Sequence, residues 1–234
     1  MTAHKGSQKQ GSVYRSSARV KRAYKGSTLV YTRKVQTSAN KLFNTAGTFS
    51  FALPAELLSL TVRVVGAGGG AGGDSFYHGN CWGGAAGASG GMAVKTYNAA
   101  EIAALKGKTV SVVVGAAGAA QAGTAVPVLN NGTTSYRGVN GGASKFNGNI
   151  VANGGAGGYT GVEYIHLKLG EAAGGTASGG TTNTTGNASS GNTAGASLWN
   201  GYGKGGPSGG WNGAKEAGTV GCVYIEYTYL KAVE

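Results

Sequence analysis

Proline is scarce in this 234-residue chain, with three residues against 47 glycines. That excludes collagen, which needs a strict Gly-X-Y period with abundant proline. Acidic side chains are also few, eight Asp/Glu against twenty Lys/Arg. Charged residues make up 12% of the chain, about half the usual share. Low charge with 41% hydrophobic residues excludes a solvated, disordered chain. No run of 18 apolar residues occurs, so no membrane-inserted helix is expected. The basic N-terminus leads into no apolar segment, so no secretory signal is expected. Two cysteines, Cys81 and Cys222, are too few for a disulfide framework. They could pair; two reduced, buried thiols are the favoured reading. Large apolar side chains are too few for an ordinary core through the whole chain.

What charge there is lies at one end. The first 41 residues hold ten of the twenty Lys/Arg and no Asp/Glu. Residues 1–19 read as an extended arm carrying Lys5, Lys9, Arg15 and Arg19 among Gly, Ser and Gln. Two β-rich runs follow, Val20-Lys21-Arg22-Ala23-Tyr24-Lys25 and Thr28-Leu29-Val30-Tyr31-Thr32. The Gly26-Ser27 pair between them predicts a hairpin. Such a hairpin is marginal alone, so it should dock on the body or on a neighbour. Arg33 and Lys34 follow the hairpin, and Lys41 is the tenth of the ten. The chain thus divides into an N-terminal anchor, 1–42, and a body, 43–234.

The body alternates apolar and polar residues in four long runs. Phe49, Phe51 and Leu53 share one face of the first, which Pro54 stops. Leu60, Val62 and Val64 share a face of the second, and Val110, Val112 and Val114 of the third. Val223, Ile225 and Tyr227 do so in the last. Period two with β-branched and aromatic residues predicts strands with these side chains as the core. Residues 92–97, 144–146 and 149–152 are shorter candidates. One short helix is expected. Asn98 caps it, Glu101 stands three residues on, Ile102 and Leu105 are its apolar pair, and Gly107 ends it.

Between the strands lie glycine tracts at 66–73, 83–91, 115–123, 154–158, 174–180 and 201–213. Alanine is the usual companion, unlike a Ser-rich linker. Glycine loses more backbone entropy on ordering than any other residue. Lacking side chains, however, glycine backbones can approach closely. Extended three-residue-per-turn helices can then pack side by side through N–H···O bonds and Cα–H···O contacts. A polyglycine II-like lattice would replace a hydrophobic core. From composition alone, flexible loops are an equal reading. The architecture expected is all-β: a small β-sandwich base with packed glycine-rich tracts, preceded by the basic arm and hairpin.

The order of the pieces carries more information. Gly47-Thr48-Phe49-Ser50-Phe51 and Leu60-Thr61-Val62-Arg63-Val64-Val65-Gly66-Ala67-Gly68-Gly69-Gly70 come first. Leu105-Lys106-Gly107-Lys108-Thr109-Val110-Ser111-Val112-Val113-Val114-Gly115 and Gly141-Gly142-Ala143-Ser144-Lys145-Phe146 follow. Asn153-Gly154-Gly155-Ala156-Gly157-Gly158 and Gly218-Thr219-Val220-Gly221-Cys222-Val223-Tyr224-Ile225 close the set. Over residues 43–230 this resembles the glycine-rich domain of bacteriophage tail proteins, including minor tail proteins, tail-fibre tips and adhesins. The resemblance implies a β-sandwich-like base with packed polyglycine helices, and a non-enzymatic structural role in the virion tail. Residues 159–200 depart from the pattern with Val162-Glu163-Tyr164-Ile165-His166-Leu167 and a Thr/Asn/Ser-rich tract, which reads as a display loop.

Motifs for other chemistries are weak. Gly68-x-Gly70-x-x-Gly73 follows a strand, as a dinucleotide fingerprint would, but no helix and no acidic residue follow at the required spacing. His78-x-x-Cys81 offers two zinc ligands where three or four are needed. No Gly-x-Ser-x-Gly elbow occurs, and His78 and His166 have no evident carboxylate partner. Enzyme activity, cofactors and metals are not expected. The arm could neutralise phosphates, with Tyr14, Tyr24 and Tyr31 interleaved for stacking. Threading between acidic neighbours during assembly is the stronger reading. The anchor set is therefore Lys5, Lys9, Arg15, Arg19, Lys21, Arg22, Tyr24, Lys25, Tyr31, Arg33 and Lys34, and the expected partners are other tail proteins and further copies of the chain. Phe76, Tyr77, Trp82, Tyr159, Trp199, Tyr202 and Trp211 stand among the glycines. They either pin tract ends or form a receptor surface for a bacterial glycan or protein.

Overall fold

The computed structural model describes residues 14–15, 18–19, 22–25, 28–77, 80–121, 126–127, 137–159 and 171–233. The sandwich is made of two antiparallel five-stranded sheets. The first has the order β16 (Thr182–Thr184), β10 (Met92–Thr96), β7 (Leu57–Val65), β17 (Cys222–Ala232) and β5 (Lys34–Phe43). The second has the order β15 (Ala177–Ser178), β14 (Ile150–Ala152), β13 (Ser144–Phe146), β11 (Thr109–Val114) and β6 (Gly47–Ala52). Leu60, Val62, Val64, Val223 and Ile225 of the first sheet meet Val110, Val112, Val114, Phe146 and Ile150 of the second in one buried cluster. Phe49, Phe51 and Tyr227 pack on its rim, partly buried.

Helix α1 (Ala99–Leu105) starts in a complete capping box: Asn98 Oδ1 accepts the Glu101 N–H, and a Glu101 carboxylate oxygen accepts the Asn98 N–H. Ile102 is the helix residue that enters the core. Lys95 on β10 reaches a Glu101 carboxylate oxygen at 2.8 Å, tying sheet to helix. Asn147 (φ +49) and Gly148 (φ +74) close the β13–β14 hairpin. Two left-handed residues in succession match the right-handed strand twist.

The sandwich takes in more of the N-terminal region than sequence reading gives it. Residues 34–43 pair with β17 without a break, from Ala232↔Lys34 to Val223↔Phe43. Lys34 Nζ lies 2.6 Å from a Glu56 carboxylate oxygen. The preceding segments form small sheets of their own, β1 (Tyr14–Arg15) with β2 (Ala18–Arg19) and β3 (Arg22–Lys25) with β4 (Thr28–Thr32).

Ten extended glycine-rich rods leave and re-enter the sandwich as five out-and-back pairs: 66–73 with 83–91, 115–121 with 137–143, 153–159 with 171–176, 185–190 with 193–197, and 203–207 with 214–221. Their hydrogen bonding has period three. In the rod 66–72, Gly66, Gly69 and Gly72 donate to Gly91, Ala88 and Ala85. Ala67 and Gly70 donate to Gly142 and Val139, while Gly68 and Ala71 donate to Thr219 and Glu216. Its carbonyls accept from three further rods: Gly118 to Gly68, Gly155 to Ala67, and Gly206 to Gly69. Successive residues turning to three donors and three acceptors are the signature of a threefold extended helix inside a hexagonal array. The rod 85–91 is likewise surrounded, donating to 153–159, 187–191 and 203–206. At about 3.1 Å per residue the rods span roughly 15–28 Å.

This array answers the question of what fills the molecule. A Cβ on Gly69 would lie 2.1 Å from the Ala156 carbonyl oxygen, and one on Gly87 2.2 Å from that of Gly69. Neither glycine has a positive φ, so glycine is needed there for contact rather than for its dihedral freedom. A backbone bond nets about 1 kcal/mol, while ordering a residue costs about 1–2 kcal/mol. No rod can stand without its neighbours. Of the stretch 159–200 expected as a display loop, residues 160–170 lie outside the described residues, and much of the remainder is lattice. Rods 171–176 and 185–197 lie in it, with Gly186 N–H on Gly175 O and Ser189 buried.

Candidate binding surface

Each out-going rod starts at a strand end and each returning rod finishes at one, apart from the 197–203 turn beside the sandwich. Every other rod end therefore faces away from the sandwich. That far end carries β8 (Ser75–Tyr77), β9 (Asn80–Trp82) and β12 (Val126–Pro127), which form a three-stranded sheet. It also carries the Ser190–Thr193 bridge and the 208–215 turn.

One buried ion pair braces it. Lys215 Nζ lies 2.7 Å from Asp74 Oδ1, both side chains being almost wholly inaccessible. Asp74 also accepts the Gly84 N–H (3.1 Å) and the Asn212 N–H (2.9 Å). Lys215 further donates to the carbonyls of Gly210 and Gly213. Ser208 Oγ donates to Gly84 O. Every partner a buried charge requires is present, and the turn bearing Trp211 is locked to the ends of two rods. Beside it, the Arg137 guanidinium lies 3.6 Å from the Tyr159 ring centroid, a cation–π contact between two rod ends. Sequence reading missed Asp74, Lys215 and Arg137. The signal was present for Asp74, the only carboxylate between Glu56 and Glu101.

The seven aromatic candidates divide. Phe76, Tyr77 and Trp82 belong to the far-end strands β8 and β9, their side chains lying outside the described residues. Tyr159 and Trp211 are at the same end, half-buried. Trp199 and Tyr202 are at the other end, against the sandwich. Their rings stack at 5.8 Å, Trp199 meets Tyr224 at 5.3 Å, and Arg63 lies 5.0 Å over the indole. Tyr202 OH accepts from Asn44 Nδ2. This pair pins the 197–203 turn to the outer face of the first sheet. The aromatic candidates thus lie at two opposite ends of the lattice, Trp199 and Tyr202 pinning a turn at the sandwich end.

Of the anchor set, Lys5, Lys9 and Lys21 lie outside the described residues, and Arg15, Arg19, Arg22, Tyr24, Lys25 and Tyr31 are described by backbone alone. Arg33 directly precedes β5 and Lys34 is its first residue. His78 and His166 also lie outside the described residues. The amides of 68–72 cannot cradle a phosphate, since all five donate to carbonyls of other rods. Among the described residues no three His, Cys, Asp or Glu side chains converge as metal ligands. Cys222 is a free, buried thiol; burial pushes its pKa up to about 12.

A β-sandwich continued into a polyglycine lattice defines a class in which backbone packing does the work of a side-chain core. The chain belongs to the glycine-rich domain family, whose model matches residues 44–229. No curated protein matches it.

Proposed function

We propose that this is a non-enzymatic structural protein of a bacteriophage tail, fastened to its neighbours by residues 1–42 and projecting its glycine-rich body outward. The far end of the lattice is its host-attachment surface. The observation that carries this reading is the common direction of the rods. An array without an ordinary core holds up one face, which carries Tyr159 and Trp211 and the strands to which Phe76, Tyr77 and Trp82 belong. Rigid aromatic anchors of this kind dominate recognition surfaces and stack on sugar faces. The phage context rests on the ordered motif set and on the ten basic residues of the first 41, which suit an assembly partner of opposite charge.

The test is adsorption of phage particles carrying Tyr159→Ala with Trp211→Ala, set against Trp199→Ala with Tyr202→Ala. The first pair is expected to lower adsorption at least about 30-fold, the size of one lost hot spot, with particle incorporation unchanged. The second should leave adsorption intact. Normal adsorption by the first pair leaves a purely architectural protein.

A further inference from the structure

The first sheet ends in an open edge. Among the described residues no strand pairs with the outer side of β5. The Val233 N–H donates to Arg33 O, so odd-numbered residues of β5 bond to β17 and even-numbered ones face outward. The amides and carbonyls of Lys34, Gln36, Ser38, Asn40 and Leu42 are therefore presented at the rim. Beside it runs the second sheet's open edge, β6. The Leu53 N–H donates to Lys108 O, which turns Thr48, Ser50 and Ala52 outward in the same way. Between the two edges stand Phe43, Phe49, Phe51 and Tyr227, partly buried and in mutual ring contact at 5.4–6.0 Å.

We propose that the outer edge of β5 is a docking site for an extended, acidic strand of a partner protein, added edge-on to the first sheet. This deepens the reading that the N-terminal region fastens the chain to its neighbours, and rests on it. Unpaired edges recruit strands, and charge selects which. Lys41 sits on the core-facing side of β5, opposite Ile225, with its ammonium 5.6 Å over the Phe43 ring. An inward-pointing lysine on an edge strand is a guard against pairing with like chains. Two copies meeting with Ser38 opposite Ser38 would set Lys41 against Val35 and Lys34 against Leu42. That pairing would also bring together two arms with ten Lys/Arg each and no acid in the first 41 residues. Lys34 already has Glu56 as its partner, so a strand with Glu or Asp opposite Lys41 neutralises the open charge and supplies backbone partners to the five open positions.

The probe is a short peptide alternating Glu and Val, added to the full chain, with a Gln/Val peptide as its neutral counterpart. The acidic peptide is expected to slow hydrogen exchange at Gln36, Ser38 and Asn40 at least about tenfold. The effect should weaken at high salt and in the neutral peptide. Ser38→Pro removes an outward donor without touching the β17 ladder, and should abolish the effect at an unchanged melting temperature. Lys41→Glu keeps the backbone intact and should turn preference toward a Lys/Val peptide. Unslowed amides, or equal slowing by both peptides, would overturn the proposal. So would a dimer of the chain alone that Ser38→Pro dissociates, which makes a second copy the occupant. Labelling that finds the chain absent from phage tails would end the tail reading and leave the exchange result standing.

Discussion

Glycine does two different jobs here, and single substitutions separate them. At Gly69 the conformation suits any residue, but a Cβ would enter the Ala156 carbonyl at 2.1 Å. At Gly148 nothing lies within 4 Å of the same atom, and φ is +74. Gly69→Ala must push apart two rods that are themselves boxed in, with an expected cost of about 3 kcal/mol or more. Gly148→Ala meets only left-handed strain of about 1–2 kcal/mol. Urea unfolding of the two variants checks the order, and equal losses would mean that the lattice yields easily. Cys222 gives the pH dependence. Its buried thiol is pushed up to about 12, while an unfolded thiol ionises near 8.5. Between these values the unfolded chain has released a proton that the folded chain keeps. Stability is therefore full below about pH 8.5 and falls as pH rises toward about 12. Alkylation mapped to Cys222 at pH 8 should be negligible in the folded chain and rapid in urea. Prompt native labelling would contradict the burial.

At the scale of elements, Asp74 joins rod to turn, and its removal tests whether the far end is held from inside. Asp74→Ala leaves the Lys215 ammonium buried with carbonyl partners alone, at an expected cost of about 3–5 kcal/mol. Adding Lys215→Met should recover a large part of that loss, because the stranded charge goes with it. Additive losses in thermal unfolding would show that the two side chains act independently. The elements differ in how plainly the sequence announced them. The alternation of Leu60, Val62 and Val64, and of Val110, Val112 and Val114, marks strands because one face is dry and the other wet. Strand β5 hides, since an edge strand alternates Val35, Thr37 and Ala39 with Gln36, Ser38 and Asn40 and so reads as a polar arm. Rods 171–176 and 185–197 hide for a related reason. A rod needs glycine only where another rod lies against its Cα, as at Gly175, Gly186 and Gly195. Positions facing solvent, such as Thr185 and Asn187, carry side chains freely. The site was half legible. Aromatics among glycines stood out, but Trp199 and Trp211 look alike locally. Only the strand exits tell which belongs to the sandwich end and which to the far end.

The whole molecule closes late. Strand β17, the last element, lies between β7 and β5 at the interior of the first sheet, and rod 214–221 leads into it. That rod accepts the amides of Gly68 and Ala71, at the centre of the array. Sandwich and lattice therefore share one closing step. The sheet cannot complete without residues 222–232, and the central rod loses two of its acceptors when the returning rod is unmoored. Hydrogen exchange measures this directly. In the full chain the amides of 66–72 and 85–91 should exchange only through global opening, with protection equal to that of Val62 and Val64. A chain cut after Gly221 should lose protection in rod and strand together, since neither has an independent core to fall back on. Rods that exchange as fast as a free peptide in the intact protein would reduce the lattice to a flexible spacer. Rods that stay protected in the shortened chain would show a lattice able to stand on glycine contacts alone, with the sandwich as mere attachment.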